Sequence, residues 1–260
     1  MKSSISTPLV TVEHGLQVLR AFRCEMTALG NVDLVRRTGL SKAIVSRLTS
    51  TLLQTGFLRH APGSRQFQLA NGPHSIGYSF LTRSEMVQAF DPFLRRLADS
   101  LNVSVALAVG NGLEMIYVGY RAGHHSSTLR MGLGSVLPMG TTSIGHAYLW
   151  GVPAVEQSQL IKALRLQAGD HAAAVDDCLQ SSFASLRTSG TCGVLGGYGR
   201  GSFGIATPLV AGRQQMVMAL SCGKASIKPD LEKEHGRIAP ELQAAARAIE
   251  EALTNFDGAL

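Results

Sequence analysis

Residues 39–52, GLSKAIVSRLTSTL, decide how this chain is read. Ser41 suits a helix N-cap, because its hydroxyl can accept from a backbone amide that a first turn leaves without a partner. The spacing after it predicts a helix in which Ile44, Val45, Leu48 and Leu52 line one side. At about 3.6 residues per turn, Lys42, Ala43, Ser46, Arg47 and Ser50 fall on the other. That outer face is basic and rich in hydroxyls, a composition suited either to solvent or to a polyanion.

The flanking sequence narrows the choice. Upstream, VEHGLQVLRAF places Val12, Leu16 and Leu19 at helical spacing, and NVDLVRRTG predicts a short second helix with Asn31 as N-cap and Gly39 as stop. Downstream, GFLRHAPGSRQFQL is two short extended runs around Ala61-Pro62-Gly63-Ser64, a hairpin. Helix, helix, turn, helix, hairpin is the order of a winged helix-turn-helix, expected over residues 1–73. Charge agrees: residues 1–80 hold nine Lys/Arg and three Asp/Glu, so the formal excess of +6 lies entirely in the first third. Such asymmetry suggests a polyanion-binding module joined to a neutral one.

Residues 74–102 are expected to form linker helices, broken before Pro92 because a proline pushes its predecessor out of the helical region. In 103–260, VSVALAVG, the Asn111-Gly112 turn and LEMIYVGYR predict a hairpin. SFGIATPLV and QMVMALSCG predict a second strand pair around Ala211-Gly212-Arg213, with helices between the pairs and an amphipathic helix over 230–254. An antiparallel sheet with flanking helices, an α+β class, satisfies this order. Cys24, Cys178, Cys192 and Cys222 lack metal-finger spacing and are expected to be reduced thiols. Neither a signal peptide nor a run of roughly 18 uncharged apolar residues stands out, so a cytoplasmic protein without a membrane partner is expected.

This order of elements, with TGLSKAIVSRLTSTLLQTGFL and later LPMGTTSIGHAYL, resembles the isocitrate-lyase-regulator (IclR) family of bacterial transcription factors over about Val12 to Leu253. The resemblance implies a winged-helix DNA-binding domain, a linker helix and a GAF-like effector domain, assembled as a homodimer or dimer of dimers on a double-stranded operator. Lys42, Ser46 and Arg47, with Ser41, Ala43 and Ser50, are the residues expected against DNA. Arg37 and, on the hairpin, Arg59, His60 and Arg65 suit phosphate or an adjacent minor groove.

The resemblance also implies an effector cup. Its first wall is Met139, Thr141, Thr142, Ser143 and Ile144, where a helix start offers amides to a carboxylate. Where carboxylate-sensing members carry an aspartate, a cysteine and two serines, this chain aligns Val194, Gly204, Leu220 and Cys222. Those changes favour a bulky or aromatic acid lying against Met131, Leu220 and Cys222. No cofactor, metal or catalytic residue is expected.

Other signals carry less. GGYGRGSFG lacks the Lys-Ser/Thr of a phosphate loop and suits a lid carrying Tyr198. His124-His125 has no further ligand beside it, and Asp176-Asp177 suits the start of a helix. A small-molecule enzyme and a ligand-independent architectural DNA-binding protein are the alternatives. No GxSxG elbow or ordered base supports the first.

Overall fold

The computed structural model describes residues 9–23, 28–124, 131–197, 199, 201–226 and 229–257, with the backbone alone at 78 and 80–83. Its contacts fall into two units, Met1–Arg83 and Ser84–Leu260.

In the first unit, α1 (Val10–Arg20), α2 (Asn31–Thr38) and α3 (Lys42–Gln54) precede a hairpin of β1 (Leu58–His60) and β2 (Phe67–Leu69). Ser41 caps α3, its Oγ accepting from Ile44 N at 3.4 Å. Leu29 bridges to Phe67, and the two join Val18, Leu34, Val45 and Leu58 in one core. Three local expectations need correction. The enclosed side chain of α1 is Val18, while Val12 and Leu16 are 57% and 50% exposed. Gly15 also lies towards α3, where an added Cβ would stand in ordinary contact with Leu48 Cδ2 at 4.0 Å. The cap of α2 is Gly30, whose N–H donates to Asp33 Oδ2 at 3.0 Å, and Asn31 is the first helical residue. On α3, Thr49 is buried in place of Ile44; its hydroxyl donates to Val45 O at 3.0 Å, which removes the cost of enclosing it. Helix α4 (Asn71–Arg83) begins at Asn71, with Pro73 in the first turn, where a missing N–H costs nothing.

The second unit opens with α5 (Glu85–Leu101), capped by Ser84 Oγ accepting from Val87 N. This helix runs unbroken through Pro92, against expectation. An interior proline costs about 3 kcal/mol, and Met86, Phe90, Leu94, Leu97 and Leu101, all buried, each return roughly 1.5–3 kcal/mol on burial. Packing overrides the local penalty, and the break falls at Ser84 instead.

The strands β3 (Ser104–Asn111), β4 (Glu114–Ala122), β5 (Val136–Pro138), β6 (Cys192–Leu195), β7 (Ser202–Ala211) and β8 (Met216–Ala225) form an antiparallel sheet in the order β5-β4-β3-β8-β7-β6. Two cores lie against it. Val105, Leu107, Ile205, Leu220 and Cys222 face α5 and α9 (Leu231–Leu253). Ala106, Ala206 and Ala219 face α6 (Ser143–Gly151), α7 (Ala154–Ala168) and α8 (Ala172–Ser189). A short 3-10 turn, Gly169–His171, joins α7 to α8. The pairing of β3 with β4 shifts between Leu107 and Ala108, opposite Gly119 and Tyr117. At this bulge Gly119 admits α5: a Cβ there would stand 2.6 Å from Leu94 Cδ1 and Phe90 Cε2.

Candidate DNA interface and effector site

Helix α3 turns Val45 and Thr49 inward, so Lys42, Ala43, Ser46, Arg47 and Ser50 stand on its exposed side with Ser41 at its start. The Ser50 hydroxyl donates to Ser46 O at 3.0 Å and is thus tied to its own helix. Arg47 also edges a shallow cleft shared with Thr11, His14, Ile44, Leu48 and Thr51. Arg59, His60 and Arg65 are exposed on the hairpin, although the His60 ring is partly engaged by Phe67, with centroids 5.3 Å apart. Arg37 Nη1 donates to Ala21 O at 2.7 Å, which fastens the end of α2 to the end of α1. Ile44, 37% exposed at the edge of the outward face, was missed because helical spacing alone assigned it to the core.

In the second unit, the start of α6 closes one side of a cup whose floor is the sheet. Val194, Gly204, Gly223 and Ser104 are paired in succession across β6, β7, β8 and β3, and Ser221, Ala106 and Tyr120 form the next such row on the same face. Met131, Leu137, Thr142, Ser143, Ile144, Gly197 and Ser202 complete the wall. Thr142 caps α6: its Oγ1 accepts from Gly145 N at 3.3 Å and donates to Pro138 O at 2.6 Å. Gly145 N and His146 N are therefore satisfied by Thr142, whereas the enclosed amides of Ser143 and Ile144 have no acceptor among the described residues. A helix N-terminus with two such donors favours an anion.

Of the expected effector residues, the structure brings together Met131, Thr142, Ser143, Ile144, Val194, Gly204 and Cys222. Three lie elsewhere. Met139 is fully buried between α6 and its neighbours, and Thr141 is exposed, donating to Gly197 O at 3.3 Å. Leu220 sits on the opposite face of the sheet, paired with Leu107. Cys222 shares that parity: it lies in the row of Ile205 and Val105, its side chain is in the α5–α9 core, and only its strand borders the cup. Adjacent strand residues point to opposite faces, so an alignment one residue out selects the wrong wall. The side chain that faces the cup is Ser221.

Tyr117 and Tyr120 were missed for a related reason. Three apart, they belong on opposite faces of a regular strand, but the bulge between them puts both in the cup, stacked at 6.2 Å. Tyr120 Oη and Ser104 Oγ are 3.0 Å apart, and Tyr117 is bonded to Ser221. Burial and the neighbouring Tyr120 push the Tyr117 phenol upward, so it stays neutral and available as a donor. These rings take back the volume that Gly204 vacates, and the enclosed space is about 50 Å³. Among the described residues, no Asp, Glu, Lys, Arg or His lines it.

Beneath the cup, buried His146 bridges two elements: Nε2 is 3.0 Å from Gly140 O and Nδ1 2.8 Å from Ser182 Oγ on α8. Desolvation lowers its pKa, so the ring is neutral, with Nε2–H donating to the carbonyl and Nδ1 accepting from Ser182. Cys192 Sγ donates to Ser143 O at 3.4 Å, and burial first, then Cys178, raises this thiol to about 12. Cys178, Cys192 and Cys222 are free thiols, and Cys24 lies outside the described residues.

Other sequence signals resolve simply. Asp176 lies past the first turn of α8 and forms an ion pair with Arg165, Nε to Oδ1 at 2.8 Å, instead of capping. His124 is exposed, with Nε2 3.5 Å from Asp99 Oδ1, while His125, Tyr198 and Arg200 lie outside the described residues. No group of three or more metal-ligating side chains occurs among the described residues, and none of their helices is long and apolar enough to cross a membrane.

The family model for the bacterial transcriptional regulator IclR C-terminal domain matches residues 78–251, and that for the IclR helix-turn-helix domain matches residues 11–62. The HTH-type transcriptional regulator TsaQ1/TsaQ2 of Comamonas testosteroni is 30% identical over 162 residues, 62% of this chain and 58% of that protein. The match thus spans little more than half of that relative. The Pca regulon regulatory protein of Pseudomonas putida is 23% identical over 243 residues, 93% of this chain and 83% of that one. A solved IclR family transcriptional regulator from Brucella abortus superposes with a TM-score of 0.81 at 29% identity, covering 96% of each chain. An IclR homologue from Microbacterium hydrocarbonoxydans, complexed with 4-hydroxybenzoate, shares the fold at a TM-score of 0.65 and 19% identity, over 94% of this chain and 98% of that one.

Proposed function

The chain belongs to the IclR family of bacterial transcriptional regulators, and on that premise we propose how it works. It binds operator DNA through the outward face of α3 and senses a carboxylic acid in the cup of the second unit. The observation that carries the reading is the pair of enclosed amides at Ser143 and Ile144 that have no acceptor among the described residues, beneath a wall that is uncharged among those residues. A carboxylate is met there by the helix end and by hydroxyl groups.

The acid has a flat or bulky apolar body. The stacked rings of Tyr117 and Tyr120 present a planar wall, and the small residues Gly204 and Gly223 keep the sheet side low. An aromatic ring needs on the order of 150 Å³, more than the enclosed 50 Å³, so its entry requires a wall to move. Met131, half-buried at the wall and unbranched, is the side chain that does so most easily. The 4-hydroxybenzoate bound by the Microbacterium relative is an acid of this class.

Lys42 and Arg47 meet phosphate or base edges, and Ser41 and Ser46 follow the groove. The effector prefers one arrangement of two copies, which changes the spacing of their recognition helices on a pseudo-palindrome. Arg47→Ala should weaken operator binding in a mobility shift with the melting temperature unchanged; full-strength binding refutes the DNA face. Calorimetry with benzoate beside glyoxylate and pyruvate tests the cup, and tighter binding of the small acids overturns the size argument.

A further inference from the structure

On the floor of the cup, Ser104 Oγ and Tyr120 Oη lie 3.0 Å apart, and either can donate to the other. Two hydroxyls bring two hydrogens and four acceptor lone pairs, and their mutual bond uses one of each. The pair therefore keeps one O–H and several lone pairs for a third group. Ser104 is only 8% exposed and Tyr120 is half-buried, and enclosing an O–H that has no acceptor is costly. The Tyr120 ring is stacked on Tyr117 at 6.2 Å, which steadies its hydroxyl beside Ser104. Tyr117 directs its own hydroxyl to Ser221.

The position of the pair says what it meets. Ser143 stands over β7, since a Cβ on Gly204 would lie 2.6 Å from Ser143 Oγ. Gly204 pairs with Gly223 and Gly223 with Ser104, so Ser104 lies two strands away, about 9.5 Å across the sheet. Gly223 raises no side chain between them, and the floor is bare over that span. One six-membered ring bridges it, with a carboxylate at the α6 end and a substituent on the far side of the ring reaching Ser104. The chemistry of the pair says which substituent. Among the described residues no Asp, Glu, Lys, Arg or His lines the cup, so a second carboxylate or an ammonium group would be enclosed there without a counter-charge. An alkyl group would leave the spare O–H unsatisfied. A hydroxyl accepts from that O–H and donates to a lone pair, which matches both capacities.

We propose that Ser104 and Tyr120 together read a hydroxyl group on the ring of the acid, opposite its carboxylate, so that the cup selects ring-hydroxylated aromatic acids. The inference rests on the reading of the cup as a carboxylic acid site with the Ser143 and Ile144 amides at its other end. The start of α6 attracts any such acid, and the hydroxyl pair chooses among them. A site built around a hydrogen bond rejects a ligand that lacks it more strongly than an apolar pocket rejects a change in size.

The test uses the full chain, with calorimetry of benzoate, 4-methylbenzoate, 4-hydroxybenzoate, 2-hydroxybenzoate and terephthalate. Wild type should bind 4-hydroxybenzoate about tenfold more tightly than benzoate, the worth of one net hydrogen bond. The 4-methyl acid is similar in size without the O–H and should bind no better than benzoate. The 2-hydroxy acid keeps its hydroxyl beside the carboxylate and should gain nothing either. In Tyr120→Phe and in Ser104→Ala the tenfold ratio should fall, and in the double variant it should approach one. A merely structural role would lower both affinities together and leave the ratio intact. Tyr120→Phe removes a single oxygen and serves where Ser104→Ala is unstable. A ratio near one in wild type, a ratio retained in the folded variants, an equal gain from the 4-methyl acid, or tighter binding of terephthalate each overturn the proposal. Failure of every acid to bind would count against the cup itself and take this inference with it. Normal benzoate binding with no gain from the hydroxyl removes the inference alone.

Discussion

Gly145 is the position at which the start of α6 can be tested most sharply. A Cβ added there would lie 2.1 Å from Met139 O and 2.5 Å from Met139 Cα. Both are main-chain atoms, so no rotamer relieves the contact, and restoring an ordinary separation requires a displacement of roughly 1 Å between α6 and the segment before it. That segment is also held by His146 to Gly140 and by Thr142 to Pro138. Overpacking of this kind costs about 1–3 kcal/mol, and a main-chain clash puts Gly145→Ala at the upper end. For a domain of this size, 3 kcal/mol corresponds to a fall in Tm of roughly 6–12 °C. The same displacement moves the Ser143 and Ile144 amides, so acid binding should fall with it. Urea and thermal unfolding of wild type and Gly145→Ala, with calorimetry against the same acid, measure both. A stability loss under about 1 kcal/mol with normal acid affinity would show that α6 is not locked against Met139.

His146 gives a pH signature. Its folded pKa is lowered by burial, so the unfolded chain binds this proton first as pH falls below 6.5, and stability drops by up to about 1.4 kcal/mol per pH unit until the folded pKa is reached. Above 6.5 the contribution is complete. His146→Gln should flatten that decline in urea midpoints measured between pH 5 and 7.5, and parallel curves for the two proteins would contradict the assignment. Gly204→Ala places a Cβ 2.6 Å from Ser143 Oγ, the end of a side chain that can rotate away. It should therefore cost under about 1 kcal/mol in stability while weakening acid binding by on the order of tenfold; calorimetry showing unchanged affinity would place the ligand elsewhere.

What was legible in the sequence was whatever depended on neighbours along the chain. Ser41 as a cap, the outward set on α3, Asn111-Gly112 as a hairpin turn and Gly39 as a stop each follow from local chemistry, and Gly39 is left-handed at φ 68°. Pro92 misled because its penalty is local, while the burial that outweighs it comes from β3, β4 and α9. The cup was legible at Thr142, Ser143 and Ile144, where a helix start announces itself. It was lost on the sheet, where parity decides. One residue separates Ser221 from Leu220, and one bulge brings Tyr117 and Tyr120 to the same face. His146 carried no signal, since a single histidine in an apolar run does not reveal that Gly140 and Ser182 will close around it.

Among the described residues the lining of the cup is uncharged, whereas the outward face of α3 carries Lys42 and Arg47. Contacts with DNA are made by full charges at a surface, and their strength falls steeply as salt rises. An acid held by enclosed amides and hydroxyl groups is shielded from mobile ions and responds weakly to the same change. Ionic strength therefore acts as a dial on one half of the protein only: it sets how firmly the regulator grips its site and leaves nearly constant the concentration at which the signal molecule is detected.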